Sequence, residues 1–244
     1  TLIDTPQRAE LLTHVQGLHA RRTGGGSAGN TANAVKAVRA AVGPDVELMI
    51  EVHGRLNVPT AIAMAHELAP FRPYWLEEPV VAEDFAGYRR IAAALKTRIV
   101  GGESHYGRND LRPFFEHPST PILQPDPMRG GYSELRKIAS MAEPYGIRLA
   151  PHLFHEQMVH VLASIPNASY LEYMDWNDDL WIEPVLPAAD GTMSPPERPG
   201  HGVAFRPEIL KDHRIGGQGQ GEGPGEGGVA MAHVGSVVQA GRQA

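Results

Sequence analysis

Acidic and histidine side chains recur along this chain at intervals close to the length of one strand plus one helix. The sequence shows Glu51, Glu77, Glu103, Asp126 and His152 in turn, at intervals of 26, 26, 23 and 26 residues. Each follows a short apolar stretch that is typical of a buried strand. In a (β/α)8 barrel, the catalytic groups come from the carboxyl ends of successive strands. The spacing therefore predicts that these side chains converge, and suggests a metal site in the mouth of a barrel.

The size and composition of the chain favour one barrel domain with small-molecule chemistry. The 244 residues are close to the roughly 250 that are typical of such a barrel, and 42% of them are hydrophobic. The net charge of -6 provides no basic face for nucleic acid and no polybasic patch for a membrane. The absence of cysteine excludes disulfides, thiolate nucleophiles and Cys-based zinc sites. Without a signal-peptide profile or a long apolar run, we expect a soluble, cytoplasmic enzyme.

Apolar, strand-like stretches alternate with segments of helical periodicity, which favours βα units and a parallel sheet. The predicted strands are 19–23, 46–51, 73–77, 98–102, 121–124, 147–150 and 169–172. The predicted helices are 5–16, 29–42, 58–69, 84–96, 107–116, 131–145 and 155–164. Candidate N-caps are Asn30 or Thr31 and Asp84, and candidate helix stops are Gly43 and Gly146.

The two ends of the sequence differ from the regular middle. Seven strands can be counted instead of eight, and the chain opens with a helix that would normally follow a first strand. We therefore expect a barrel domain over residues 1–214 that lacks its N-terminal end. The segment GGQGQGEGPGEGG predicts a disordered tail over residues 215–244, because so many glycines make ordering entropically costly.

Six segments together resemble the mandelate racemase-like branch of the enolase superfamily, and especially its acid-sugar dehydratases. They are MIEVHGR, YWLEEPV, VGGES, ILQPDPMRGGYSEL, LAPHLFHE and ASYLEYMDWNDDLWIEPV, in the family's order across about residues 45–185. The resemblance implies a TIM-like (β/α)7β barrel, a Mg2+ cofactor and a sugar-acid substrate. Members of the family also carry an N-terminal capping domain, which we expect to be absent from this sequence.

The resemblance implies that Glu51, Glu77 and Glu103 hold Mg2+, which takes oxygen ligands at about 2.0 to 2.1 Å. Glu77 is preferred to Glu78 because the family uses the first acid of its EEP triplet, and because successive strand residues point to opposite faces. The family usually has Asp at position 51. The extra methylene of Glu51 predicts that the backbone recedes, that the ion shifts, or that binding is weaker.

The resemblance also assigns the groups that move protons. His152, oriented by Asp126, would remove the proton α to the substrate carboxylate. His53, which strand alternation places on the face of Glu51, would protonate the departing β-hydroxyl. Glu172, in SYLEYMD, would hydrogen-bond the substrate carboxylate. A surface histidine at position 53 and an ordinary strand-end acid at position 172 remain alternatives.

Positions 22 and 24 separate two reactions of the family. The resemblance implies a Lys-x-Lys pair on this predicted strand, whose second lysine acts as a base on the opposite face of the substrate, but this chain has Arg22 and Gly24. Gly24 can neither bind a carboxylate nor act as a base. Arg22 can bind a substrate carboxylate but stays protonated, so it is a poor base. The leading hypothesis is therefore Mg2+-dependent dehydration of a sugar acid to a 2-keto-3-deoxy acid, by a homo-oligomer. The alternatives are a racemase or epimerase of a 2-hydroxy acid, and a catalytically silent truncated barrel.

Overall fold

A computed structural model of the chain describes residues 28–117 and 119–213. The strands are β1 (Leu48–Glu51), β2 (Pro73–Glu77), β3 (Arg98–Val100), β4 (Ile122–Leu123) and β5 (Arg148–Leu149). The α-helices are α1 (Ala28–Val42), α2 (Val58–Leu68), α3 (Phe85–Ala94), α4 (Gly107–Glu116), α5 (Gly131–Ala142), α6 (His155–Ala163) and α7 (Pro207–Asp212). Short 3-10 helices span Ala69–Phe71, Pro127–Arg129, Glu143–Tyr145 and Asp175–Leu180. Strand and helix alternate from α1 to α6, as the periodicity predicted. None of the helices described is both long and apolar enough to cross a membrane.

The strands pair in parallel and in chain order. Strands β1, β2 and β3 form one sheet, and β4 pairs with β5. A parallel bridge between Gly101 and Leu123 joins the two sheets, and a second bridge pairs Leu149 with Ala168. Each strand is connected to the next through a helix, so all the carboxyl ends lie at the same edge. This is the arrangement that a barrel wall requires.

Apolar side chains cover both faces of this wall. Trp75 and Val100 belong to a buried cluster with Ile122, Ala150 and Tyr170. Their neighbours along the strands, Leu76, Ile99 and Leu123, belong instead to the larger cluster that includes residues of the helices. Successive strand residues point to opposite faces, so the first cluster lies on the inner face of the wall. Because Glu77 is two residues from Trp75, its side chain is also on the inner face.

Most predicted helix ends agree with the structure. Asp84 caps α3, with its side chain accepting a hydrogen bond of 2.8 Å from the Gly87 N–H. Gly43 and Gly146 follow helical segments and have φ of +76° and +67°, which glycine adopts without steric cost. The N-cap prediction at Asn30 or Thr31 is wrong, because α1 starts at Ala28 and both residues lie inside the helix.

The strand predicted at 169–172 is not formed. Only two backbone hydrogen bonds tie this stretch to β5, from the Leu149 N–H to the Asn167 carbonyl and from the Ser169 N–H to the Leu149 carbonyl. These hydrogen bonds form the single parallel bridge between Leu149 and Ala168, and the pairing does not extend into residues 169–172. The predicted strand 19–23, the predicted helix 5–16 and the predicted tail 215–244 lie outside the described residues.

Candidate metal and proton-transfer site

Three glutamates meet at the carboxyl edge of the first three strands. Glu51 and Glu77 are the last residues of β1 and β2 and are paired in register. Glu103 lies three residues beyond the end of β3. One carboxylate oxygen from each lies within 4.8 Å of the others. The structure thus brings together all three residues that the sequence predicted as metal ligands.

Neighbouring groups hold these carboxylates in place. Glu77 is buried, and its Oε2 accepts a hydrogen bond of 3.0 Å from the Trp75 indole nitrogen. The side chain of Gln124 also hydrogen-bonds to Glu77. The Oε1 of Glu51 accepts a hydrogen bond from the backbone N–H of His53, in the turn that follows β1. The longer side chain of Glu51 therefore reaches the shared point with its carboxylate tied to its own turn.

Burial and mutual repulsion make these carboxyl groups difficult to ionise together. Burial, opposed in part by His152 and reinforced by the nearby glutamates, raises the pKa of Glu103 to about 7. Burial raises the pKa of Glu51, and burial with the charge of Glu51 raises the pKa of Glu77 well above its usual range. The direct interaction of the two carboxyl groups lowers the pKa of Glu51 and raises the pKa of Glu77 further.

The triad fits a hard divalent cation. Its donors are all carboxylate oxygens, which Mg2+ prefers, and a divalent cation would offset the repulsion between them. The Oε2 atom of Glu51 is buried and has no hydrogen-bond partner. Within residues 28–117 and 119–213, no other group of three His, Asp or Glu side chains converges in this way.

A carboxylate/imidazole pair borders the triad. The Nδ1 atom of His152 lies 2.9 Å from Oδ2 of Asp126, whose other oxygen accepts a hydrogen bond of 2.6 Å from the Met128 N–H. The Nε2 atom of His152 lies 3.5 Å from Oε2 of Glu103. Burial opposes protonation of His152, but the hydrogen bond to Asp126 and the charge of Glu103 outweigh it and raise the histidine pKa to about 9. The Nδ1 atom of the imidazole is thus held by Asp126, while the Nε2 atom lies next to the triad.

Glu172 and His53 flank this centre in different ways. The Oε2 atom of Glu172 accepts a hydrogen bond of 2.8 Å from the Leu153 N–H, directly after His152 in the chain. His53 is not on a strand, because β1 ends at Glu51 and His53 lies in a turn with φ of +51°. The argument from strand alternation was therefore wrong. The ring is nevertheless close to the triad, with its Nδ1 3.6 Å from Oε1 of Glu51 and 54% of the side chain exposed.

Glu78 is a neighbour of the site whose role the sequence did not predict. It lies outside the triad, as alternation suggested, but it is buried and has φ of +37°. Burial raises its pKa, although a hydrogen bond from Ser104 and the charges of His152 and Arg129 oppose the shift. Its charge in turn raises the pKa of Glu103. The adjacent acids of EEP were the available signal, but only the backbone geometry shows where the second one points.

His105, two residues after Glu103 in the chain, packs against aromatic side chains. His105 is buried between Phe85 and Phe114, with its Nε2 3.2 Å from the Ala82 carbonyl oxygen. Arg22 and Gly24 lie outside the described residues, so the predicted carboxylate-binding role of Arg22 stays a prediction.

We expect Mg2+ binding to strengthen as the pH rises toward neutrality. The folded-state pKa of Glu103, about 7, is above its usual 4.5. The stability contributed by its protonated form is thus fully present below about pH 4.5 and is lost as the pH rises through about 7. Each proton that Mg2+ must displace lowers its affinity by about tenfold per pH unit below that pKa. Thermal melts at pH 6 and pH 8, with and without Mg2+ at matched ionic strength, measure this. An equal Mg2+-induced rise in Tm at both pH values would contradict the prediction.

Comparison with known proteins agrees with this geometry. Residues 7–209 match the family described as Enolase C-terminal domain-like. A 3,6-anhydro-alpha-L-galactonate cycloisomerase from Streptomyces coelicolor is 34% identical over 183 residues, which are 75% of this chain and 51% of that protein. The chain spans about half, or less, of the length of the curated relatives it matches first.

Solved structures show the same fold with magnesium. A racemase from Streptomyces coelicolor with bound magnesium has a TM-score of 0.74 and 31% identity, over 82% of this chain and 59% of that one. An L-talarate dehydratase from Polaromonas sp. JS666, complexed with Mg and L-glucarate, has a TM-score of 0.71 and 33% identity, over 77% and 53%. The family is Mg2+-dependent, in agreement with the predicted cofactor. Its barrel-like α/β fold confirms the predicted fold class, and the chain belongs to the enolase superfamily through its C-terminal, mandelate racemase-like domain.

Proposed function

We propose that this chain carries the catalytic centre for Mg2+-dependent dehydration of a sugar acid to a 2-keto-3-deoxy acid. The observation that carries the proposal is the position of His152, whose Nε2 lies 3.5 Å from Oε2 of Glu103 while Nδ1 is paired with Asp126. A base next to a cation site is what removal of a proton α to a carboxylate requires. The L-talarate dehydratase complex and the cycloisomerase indicate sugar acids as the substrate class.

Glu51, Glu77 and Glu103 would hold the ion. When bound, Mg2+ supplies positive charge that stabilises the substrate carboxylate as an enediolate develops. Three protein carboxylates leave coordination positions for substrate oxygens, as catalytic sites for hard cations require. With the ion bound, the charge of Glu103 would favour protonation of His152 less, and Glu103 is one of the groups that raise the pKa of His152.

His152 acts as the base through Nε2. Because Nδ1 is hydrogen-bonded to Asp126, the neutral ring carries its proton on Nδ1, and the lone pair of Nε2 is available to the α-proton. Asp126 itself is held by the Met128 N–H. Burial favours the neutral form of Asp126, but its hydrogen bonds to His152 and Met128 outweigh burial and lower its pKa. It therefore remains an anion that stabilises the imidazolium once the proton has moved.

His53 is the candidate acid for the second half of the reaction. The β-hydroxyl leaves as water when it receives a proton, and the resulting enol then ketonises to the 2-keto-3-deoxy acid. The imidazole of His53 stands beside Glu51 and is half exposed, so a ligand in the barrel mouth can reach it. Glu172, fixed by the Leu153 N–H, is the candidate hydrogen-bond partner of the substrate carboxylate.

A racemase or epimerase is the second candidate, because the same proton abstraction begins that reaction and one structural relative is a racemase. We would incubate the protein with Mg2+ and a library of sugar acids in D2O, and measure keto-acid formation and deuterium incorporation. Keto product with one of the acids supports dehydration. Deuterium in recovered substrate without keto product favours the racemase, and absence of both, together with no calorimetric Mg2+ binding at millimolar concentration, favours a silent barrel.

A further inference from the structure

The turn that carries His152 has an unfavourable backbone conformation. Leu153 and Phe154, which join His152 to α6, have φ of +53° and +50°. Two consecutive residues with side chains in the left-handed region are costly, and such conformations persist only where the surroundings hold them. On one side the carboxylate of Glu172 holds the turn through the Leu153 N–H. The holding groups on the other side are found in the segment that follows Glu172.

Residues 173–181, which we call the strap, run across the first turn of α6. The ring of Tyr173 packs edge-on against buried His155, with 4.7 Å between ring centroids. The indole nitrogen of Trp181 donates a hydrogen bond of 2.7 Å to Oε1 of Glu156, which is also buried. The hydroxyl of Tyr173 donates to Oδ2 of Asp178, so the strap is tied to itself between these two contacts. The strap therefore holds the start of α6 through contacts at His155 and Glu156.

A buried polar pair lies at the centre of this clamp. The Nε2 atom of His155 lies 3.7 Å from Oδ1 of Asp178 and 3.8 Å from Oε1 of Glu156. Neither His155 Nε2 nor Asp178 Oδ1 has a hydrogen-bond partner, although both atoms are buried. A shift of about 1 Å would bring the pair into hydrogen-bond range. The far side of the His155 ring is held by a backbone hydrogen bond with Val185.

We propose that the strap positions His152 by holding the strained turn at the start of α6, which makes Tyr173, Asp178 and His155 positioning residues for the proton-transfer centre. The inference rests on the proposed function for the role of His152, but the physical coupling between strap and turn does not. Glu172 and the strap are consecutive in the chain. Glu172 binds the turn at Leu153, and the strap contacts the residues that follow the turn, His155 and Glu156. Loosening the strap should therefore free Leu153 and move the imidazole relative to Glu103.

The test compares Asp178→Asn and Tyr173→Phe with Asp179→Asn in the full chain with Mg2+. Asp179 is the neighbouring acid of the strap and is exposed, so its substitution makes the same chemical change at a position whose side chain faces solvent. We expect amide hydrogen exchange at Leu153 to be about tenfold faster in the first two variants, and unchanged in the control. With an active substrate, kcat should fall about tenfold with KM within about twofold, since a small displacement of a catalytic group lowers the rate steeply.

The outcomes separate the strap from the chemistry. Wild-type exchange at Leu153 in both Asp178→Asn and Tyr173→Phe would overturn the proposal. Equal acceleration at Leu153 and at a distant core amide such as that of Ile138 would also overturn it, because that is general destabilisation. If no sugar acid is turned over but Leu153 exchange still responds selectively, the strap's hold on the turn stands and the proposed reaction fails.

Discussion

Replacing His152 with asparagine is expected to slow both exchange of the substrate α-proton with solvent and formation of keto acid by at least about 100-fold. Asparagine can keep a hydrogen bond to Asp126, but it has no basic nitrogen in place of Nε2, which lies 3.5 Å from Glu103 in the wild type. Loss of a positioned general base costs typically about 10² to 10⁴ in rate. Because proton abstraction precedes elimination, both readouts should fall together, while calorimetric Mg2+ affinity should stay within a fewfold of wild type.

The matched control is His66→Asn, the same change at an exposed histidine of α2. It should leave exchange and turnover at wild-type levels. Retained turnover in His152→Asn would remove this residue from the base role and direct attention to another group of the barrel mouth. Loss of dehydration with retained α-proton exchange would instead place His152 in the elimination step.

The convergence of the site was predictable because a parallel barrel repeats its geometry. Glu51 and Glu77 end β1 and β2, whereas Glu103, Asp126 and His152 each lie three residues beyond the end of a strand. One acid or histidine per βα unit is enough to infer a common edge, without knowing any contact. The inward direction of Glu77 also followed from strand alternation, as its hydrogen bond with Trp75 on the inner face illustrates.

Sequence periodicity failed where the backbone leaves regular structure. Positive φ values occur at four residues that are not glycine, namely His53, Glu78, Leu153 and Phe154. Residues with side chains rarely adopt such values, so the residue types at these positions did not predict the turns. Strand alternation was used to place His53 on the same face as Glu51. It does not apply to His53, because β1 ends at Glu51 and His53 lies in the turn that follows. The clamp of the strap on α6 depends on contacts between segments about 20 residues apart, which local patterns do not encode.

The carboxylates of the triad repel one another, and a bound metal ion would reduce this repulsion. Replacing Glu77 with glutamine should reveal the repulsion. The glutamine can still accept from Trp75 and can donate to Glu51, so it resembles the protonated form of Glu77. We therefore expect the variant to have a higher Tm than wild type without Mg2+ at pH 8, since a buried like charge is removed. With one of three anionic ligands replaced by a neutral one, Mg2+ affinity should fall by at least about 100-fold.

Two variants make this comparison specific. Glu78→Gln removes an adjacent buried acid outside the triad, and should change Mg2+ affinity far less than Glu77→Gln. Glu51→Asp keeps three carboxylates and has the residue usual in the family, so it should keep or improve binding. Isothermal titration calorimetry and melts at pH 8 measure both quantities. If Glu77→Gln bound Mg2+ like wild type, the triad would not be the metal site. If Glu51→Asp bound Mg2+ far more weakly than wild type, the longer side chain of Glu51 would be the one that fits the ion. The hydrogen bond from the His53 N–H would then be the contact that positions it.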